Sequence, residues 1–379
     1  MVDTEIPHGN VCGVSIVERD SLEEIRFTPH PHGGPECLWF CFRLRRTEGD
    51  IGQVRIVLEH FETILGGNDV LKMRPVMRPA GGHWQRLDTA GPREGSDGQI
   101  SACWELMVDA PECNIATCYP YGPPHISCLL EQTDGYWKSE DIGVTQKGRK
   151  IARLRNETGS DQENKPGIYI IARQHSGEAP GSWVLDGLLR QLAQKNRQNL
   201  LVWTVPFANL DGIIDGDYGK DNFPYDINRA WGNPPMRHET LVIMRDIDRW
   251  ISRCKPVFGL DLHAPGACDD KGLYAHMPDR QEYPQRYECA LPWAKAMGQV
   301  LGAEFAAAEF PQSHQYASRW TTPSFSRFCF QRLNSPGLCV EVPYGLTRQI
   351  IMTKRKYREA GGRIADALTE LISRSQLQS

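Results

Sequence analysis

From residue 168 onward, continuous apolar runs alternate with amphipathic stretches of helical period. Ile168–Ala172, Leu200–Phe207, Val257–Leu262 and Gly337–Val342 are short and largely apolar, as strands buried on both faces are. Between and after them the pattern predicts helices over Pro180–Gln194, Met236–Ser252, Ala290–Leu301 and Thr353–Arg374. In the second of these, Leu241, Met244, Ile247, Trp250 and Ile251 share one face. Such alternation predicts an α/β unit built on a mixed, mainly parallel sheet with flanking helices. Ligands of such sheets collect at the carboxyl ends of the strands.

Residues 1–120 read differently. Short apolar runs at Val11–Val17, Leu38–Leu44 and Gln53–Leu58 are separated by Gly/Pro clusters at 29–35, 66–68 and 79–82. Many turns and no long amphipathic helix predict an all-β antiparallel sandwich. The high glycine (35) and proline (26) counts fit that turn-rich portion. The chain therefore divides into two expected domains, 1–120 and 121–379. A hairpin around Lys147-Gly148 and a polar loop over 157–167 lead into the first buried strand.

Composition excludes some functions. Forty-three basic and 47 acidic residues leave a net charge of −4, against a dedicated nucleic-acid binder. No window approaches the ~18 apolar residues of a membrane span. The first residues lack the basic and apolar regions of an export signal. A cytoplasmic protein without membrane partners is expected. Its twelve cysteines form no CxxC pair and are expected as free thiols packed like small apolar side chains.

The chemistry lies at the strand ends. The first buried strand runs into Arg173-Gln174-His175-Ser176-Gly177-Glu178. The third ends in Asp261-Leu262-His263, and the last carries Cys339-Val340-Glu341. Two histidines and one carboxylate form a recurrent catalytic zinc set, with a fourth position left for water. A further glutamate is then available as a base. After the second strand, a long loop carries Lys220, Asp226, Asn228 and Arg229. An Arg beside an Asn can clamp a terminal carboxylate, and an Asp can fix the tautomer of a liganding His. Each piece has an ordinary reading as well: a strand-end His on the surface, or a solvated loop with an Asx turn.

Taken in order, His-x-x-Glu, Asn-x-Asp-Gly, Asp-x-Asn-Arg, Asp-Leu-His and a strand-borne Glu resemble the zinc metallocarboxypeptidases (funnelins). His-Ser-Gly-Glu with its following Ser-Trp, and Cys118-Tyr119-Pro120-Tyr121, are similar to the cytosolic carboxypeptidase subfamily. The motifs span roughly residues 118–345. The resemblance implies a carboxypeptidase-like fold preceded by a β-sandwich, and one Zn²⁺ per chain. It implies His175, Glu178 and His263 as zinc ligands and Glu341 as general base. Asn228 and Arg229 correspond to the clamp for the substrate's terminal carboxylate, and Asp226 to the partner of the first liganding His. The implied partner is the C-terminus of a peptide or protein.

Three departures stand out. Ile227 and Leu210 replace the usual Leu and Pro of their motifs. The position where the subfamily carries a carbonyl-polarising Arg is Gly219, so Lys220 is the candidate to supply that charge. Tyr316 is the candidate for the family's mobile substrate-binding tyrosine. Arg319, Arg327 and Arg332 precede Glu341, and Cys339 shares its strand face. The resemblance implies acidic C-terminal residues as substrate, because the subfamily trims glutamates, and basic groups there would fit that. The competing expectations are a zinc deacylase of N-acyl amino acids and a non-catalytic binding protein with a degenerate site.

Overall fold

The computed structural model describes residues 1–46, 52–95, 98–161, 164–196, 199–313 and 320–377. Tyr316 and Arg319 lie outside the described residues. Residues 2–116 build two five-stranded sheets. One is antiparallel throughout, in the order Val2–Asp3, Cys41–Arg45, Glu112–Ala116, Val76–Pro79, Gln85–Arg86. The other runs Cys12–Arg19, Leu22–Thr28, Gly52–Leu58, Ile100–Val108, Gly91–Glu94. Here the antiparallel expectation needs correction, because Leu22–Thr28 and Gly52–Leu58 pair in parallel. Between these two strands the chain passes through the other sheet as Cys41–Arg45, and so re-enters in its original direction. Phe27 and Phe42, 4.9 Å apart between ring centres, join the two sheets.

The larger sheet has eight strands in the order Lys138–Val144, Lys150–Arg155, Leu201–Val205, Pro166–Ala172, Lys255–His263, Gly337–Glu341, Leu273–Met277, Ala306–Ser313. Its central four strands are parallel. The antiparallel strands lie toward the edges, giving the mixed sheet read from the sequence. Each central strand is buried on both sides. Ile168 and Ile170 face a core shared with helices Ala179–Gln194, Pro284–Phe305 and Lys354–Leu377. Tyr169 and Ile171 face the opposite core, with helices His238–Ile251 and Phe325–Leu333. This double burial explains why these strands read as unbroken apolar runs. Among the described residues, no helix is long and apolar enough to cross a membrane.

Several elements escaped the sequence pattern. Helix Pro123–Gln132 opens with two prolines in its first turn and buries Ile126 and Leu129. Its proximity to turn residues disguised it. The helix expected at 290–301 spans Pro284–Phe305, with a proline again at its start. Strands Leu273–Met277 and Ala306–Ser313 were not anticipated. The first is a five-residue run within a Gly- and Asp-rich segment, too short to show a period.

Candidate metal centre and its cavity

Sheet register brings the strand-end residues together. Ala172 pairs with Leu262, and His263 pairs with Glu341 on the next parallel strand. His175 lies three residues beyond Ala172, in the turn that opens helix Ala179–Gln194. That turn is held by Arg173, which is buried in a left-handed conformation (φ 61°). Its guanidinium donates to the Ser176 carbonyl, to the Tyr121 carbonyl at 3.0 Å and to Ser182 Oγ at 3.2 Å. Burial pulls its pKa down to about 10. The Tyr-Pro-Tyr stretch therefore braces the turn from behind. Trp183 Nε1 also donates to the Tyr119 carbonyl, and Tyr121 Oη to Asp186, at 2.9 Å each.

The result is a compact donor set. Ligand atoms of His175, Glu178 and His263 lie within 4.8 Å of one another, and all three residues are buried. Glu178 places one oxygen 2.8 Å from His175 Nδ1 and the other 2.7 Å from His263 Nδ1. The two Nδ1 atoms are 3.2 Å apart. Each histidine turns its other nitrogen to a carboxylate. His175 Nε2 lies 3.2 Å from Asp226, and His263 Nε2 lies 2.9 Å from Asp261. Two imidazoles aimed at a shared carboxylate, each backed by an acid that fixes its tautomer, fit a zinc ion. Asp261 was not singled out from the sequence. Its position two residues before His263 on one strand face was the available signal.

The electrostatics follow from this crowding. Burial alone would lower the His175 pKa, but the carboxylates of Glu178 and Asp226 outweigh it and raise it to about 9. Burial likewise opposes charging of His263, yet Asp261 and Glu178 hold it well above its usual range. Burial would raise Glu178, but the two histidines bring it below the ordinary carboxylate range.

A cavity of about 620 Å³ opens over this set. Its lining includes Lys220, Asp226, Asn228, Arg229 and Glu341, so the residues singled out from the motifs share one site. Their surroundings differ. Asn228 is buried, with Nδ2 3.2 Å from His263 Nε2 and Oδ1 accepting from Phe325 N. Arg229 donates to the Asn228 carbonyl at 2.9 Å. Lys220 Nζ lies 3.4 Å from Glu36, a residue of the N-terminal portion. Gly219 has φ +83°, and a Cβ there would sit 2.4 Å from Ser176 Oγ and 2.7 Å from its amide nitrogen. A Cβ at that point would crowd the His175 turn.

The outer wall adds Arg286, which the sequence did not reveal, to Arg327, which it did. Arg286 stacks on Tyr283 and Phe330, with its guanidinium 4.4 and 4.7 Å from the ring centres. Arg327 lies 5.5 Å from the Tyr283 ring. Among the described residues neither arginine has a carboxylate partner. Burial and the neighbouring Arg327 charge hold Arg286 below the usual guanidinium range. Of the arginines named from the sequence, Arg327 reaches the cavity, whereas Arg332 pairs with Asp248 on the surface at 2.9 Å. All twelve cysteines are free thiols, and Cys339 lines the cavity.

A mixed sheet with a buried His-Glu-His set at its strand ends invites comparison with known zinc carboxypeptidases. Residues 126–264 match the zinc carboxypeptidase family model (Peptidase_M14). Among curated proteins, the chain is 26% identical over 188 residues to mouse cytosolic carboxypeptidase 6, covering 45% of this chain and 35% of that protein. It is 33% identical over 176 residues to chicken cytosolic carboxypeptidase 1, covering 40% of this chain and 14% of the relative. The matched stretches thus span well under two thirds of these relatives' length. Among solved structures, a metallo-carboxypeptidase from Burkholderia cenocepacia superimposes with a TM-score of 0.76 at 18% identity, covering 98% of both chains. One from Pseudomonas aeruginosa gives 0.75 at 17% identity, covering 98% of this chain and 99% of the other. The likeness of fold runs through the N-terminal sheets as well as the larger one.

Proposed function

We propose that this protein is a zinc-dependent metallocarboxypeptidase that removes C-terminal residues, acidic ones by preference, from peptides or proteins. The observation that carries the reading is the convergence of His175, Glu178 and His263 on one point, with Glu341 on the adjoining strand of the same cavity. Zinc bound there supplies Lewis acidity, acidifying a water and polarising the scissile carbonyl. Glu341 takes the proton of the attacking water and passes it to the leaving amine. Lys220 supplies positive charge near the developing oxyanion, with Glu36 beside its ammonium group. Asn228 and Arg229 hold the substrate's terminal carboxylate, and Asp226 keeps His175 in its liganding tautomer. Arg286 and Arg327, lacking acidic partners among the described residues, receive the acidic side chain. The protein works in the cytoplasm, with residues 1–120 as a β domain supporting a catalytic domain of 121–379.

The test is mass spectrometry of a diverse peptide library incubated with the zinc-loaded protein, with N-acyl amino acids in parallel. Release of single C-terminal residues, acidic ones fastest, is expected. Cleavage confined to the N-acyl amino acids would overturn the reading in favour of a deacylase. The Glu341→Gln variant should keep one zinc per chain and lose turnover by roughly 10²–10⁴-fold, the range of a general base. Undiminished turnover would remove Glu341 from that role.

A further inference from the structure

Glu341 does not stand alone in the cavity. Strand Leu273–Met277 runs antiparallel beside strand Gly337–Glu341, with Tyr274 directly across from Glu341 and His276 directly across from Cys339. Residues alternate faces along each strand, so Tyr274, His276, Cys339 and Glu341 share one face. His276 is therefore the diagonal neighbour of Glu341. Its Nε2 lies 3.0 Å from Glu341 Oε1, and both side chains are largely buried, at 18% and 13% exposure. The ring is walled by Tyr274, edge-on at 5.2 Å and 85°.

The two oxygens of Glu341 are thus unequal. Oε1 is tied to His276, with Cys339 Sγ 3.9 Å away. Oε2 is buried and has no hydrogen-bond partner among the described residues. A buried carboxylate oxygen without a partner is costly unless something in the reaction uses it. A glutamate has three rotatable bonds, and a base must be held within a few tenths of an ångström of its productive position to act well.

We infer that His276 is the positioning residue for Glu341, donating from Nε2 to one carboxylate oxygen so that the other is presented to the water proton. This rests on the carboxypeptidase reading for its consequence, but not for its geometry. The sheet register creates the pair whatever the substrate is. A histidine beside a carboxylate could instead relay protons, and a substitution that donates without relaying separates the two roles. Glutamine does so, because its amide nitrogen reaches about as far as Nε2.

The experiment compares wild type, His276→Ala and His276→Gln as zinc-loaded proteins, by steady-state kinetics on a cleaved peptide and by crystal structures. For His276→Ala we expect about one zinc per chain, KM within about twofold of wild type, and kcat lower by roughly 10–100-fold. In its crystal structure the Glu341 carboxylate should occupy more than one conformer. His276→Gln should restore a single conformer and recover kcat to within about threefold. If His276→Ala keeps both kcat and a single Glu341 conformer, or if His276→Gln orders the carboxylate without recovering kcat, the inference fails. Should wild type cleave no peptide at all, the carboxypeptidase reading falls. The conformation of Glu341 in the two variants then decides the positioning role by itself.

Discussion

The metal set and the wall facing it across the cavity are held by different forces. His175, Glu178 and His263 are each no more than 4% exposed, and their polar atoms meet partners at 2.7–3.2 Å. Arg286 and Arg327 are half-buried and held by aromatic faces, which fix a guanidinium far less sharply than a carboxylate does. A floor of tightly held donors suits one ion in one geometry. A wall of stacked cations can adjust to side chains of different reach. On the proposed function, binding the ion and choosing the substrate fall to separate residues, and substitutions should separate them.

The largest separation is expected from the floor. His263→Ala removes one of three ligands and leaves Glu178 and Asp261 buried without their shared partner. Zinc content measured by mass spectrometry should fall to below about a tenth per chain. Turnover should fall by at least ~10³, because the residual activity of such sites comes from binding alone. Full zinc retention would break the assignment of the floor.

A smaller, selective effect is expected from the wall. Arg327→Ala or Arg286→Ala should leave zinc content unchanged. Either should reduce kcat/KM for glutamate-ending peptides by roughly 10–100-fold, as loss of one partner of a buried charge pair does. Leucine-ending peptides should be affected less than about threefold. An equal loss on both substrates would mean that the arginines hold the site together instead of selecting its ligand.

The mildest test varies pH. The His175 pKa is raised to about 9 in the metal-free state, so at neutral pH the ring carries a proton that zinc must displace. Metal affinity should therefore strengthen with rising pH by at least about tenfold per pH unit, because His263 is held well above its usual range as well. Chelator competition between pH 6.5 and 9 measures this. A flat profile would mean that the ring is already neutral. The sign for folding is opposite. A histidine whose pKa rises on folding stabilises the metal-free protein fully below about 6.5, and that contribution fades as pH passes 9.

Legibility follows the same division. His175, Glu178, His263 and Glu341 could be read because each ends or follows a strand whose apolar run is unmistakable. Asp226 could be read because its motif is compact. Arg286 could not be, since it lies in the first turn of a helix whose start was placed at residue 290, six residues late. His276 was hidden in a five-residue strand of the Gly- and Asp-rich stretch that follows His263. The parallel pair of the N-terminal portion was missed for a related reason. Strand direction depends on where the chain travels between two strands, and local composition does not record the path.

By itself the sequence determined the α/β class, the order of the central strands along the chain, and the candidate ligand set that the structure brings together. Burial on both faces demands apolar runs, and metal chemistry demands particular residue types at their ends. Tertiary structure alone decided which side chains complete the cavity. A Cβ at Gly219 would crowd Ser176, and Lys220 beside it pairs with Glu36 from the N-terminal portion. His276 meets Glu341 through the register of two antiparallel strands 60 residues apart, and the two wall arginines meet over one tyrosine ring. Contacts of this kind are fixed by packing between distant segments, and no periodicity within either segment encodes them.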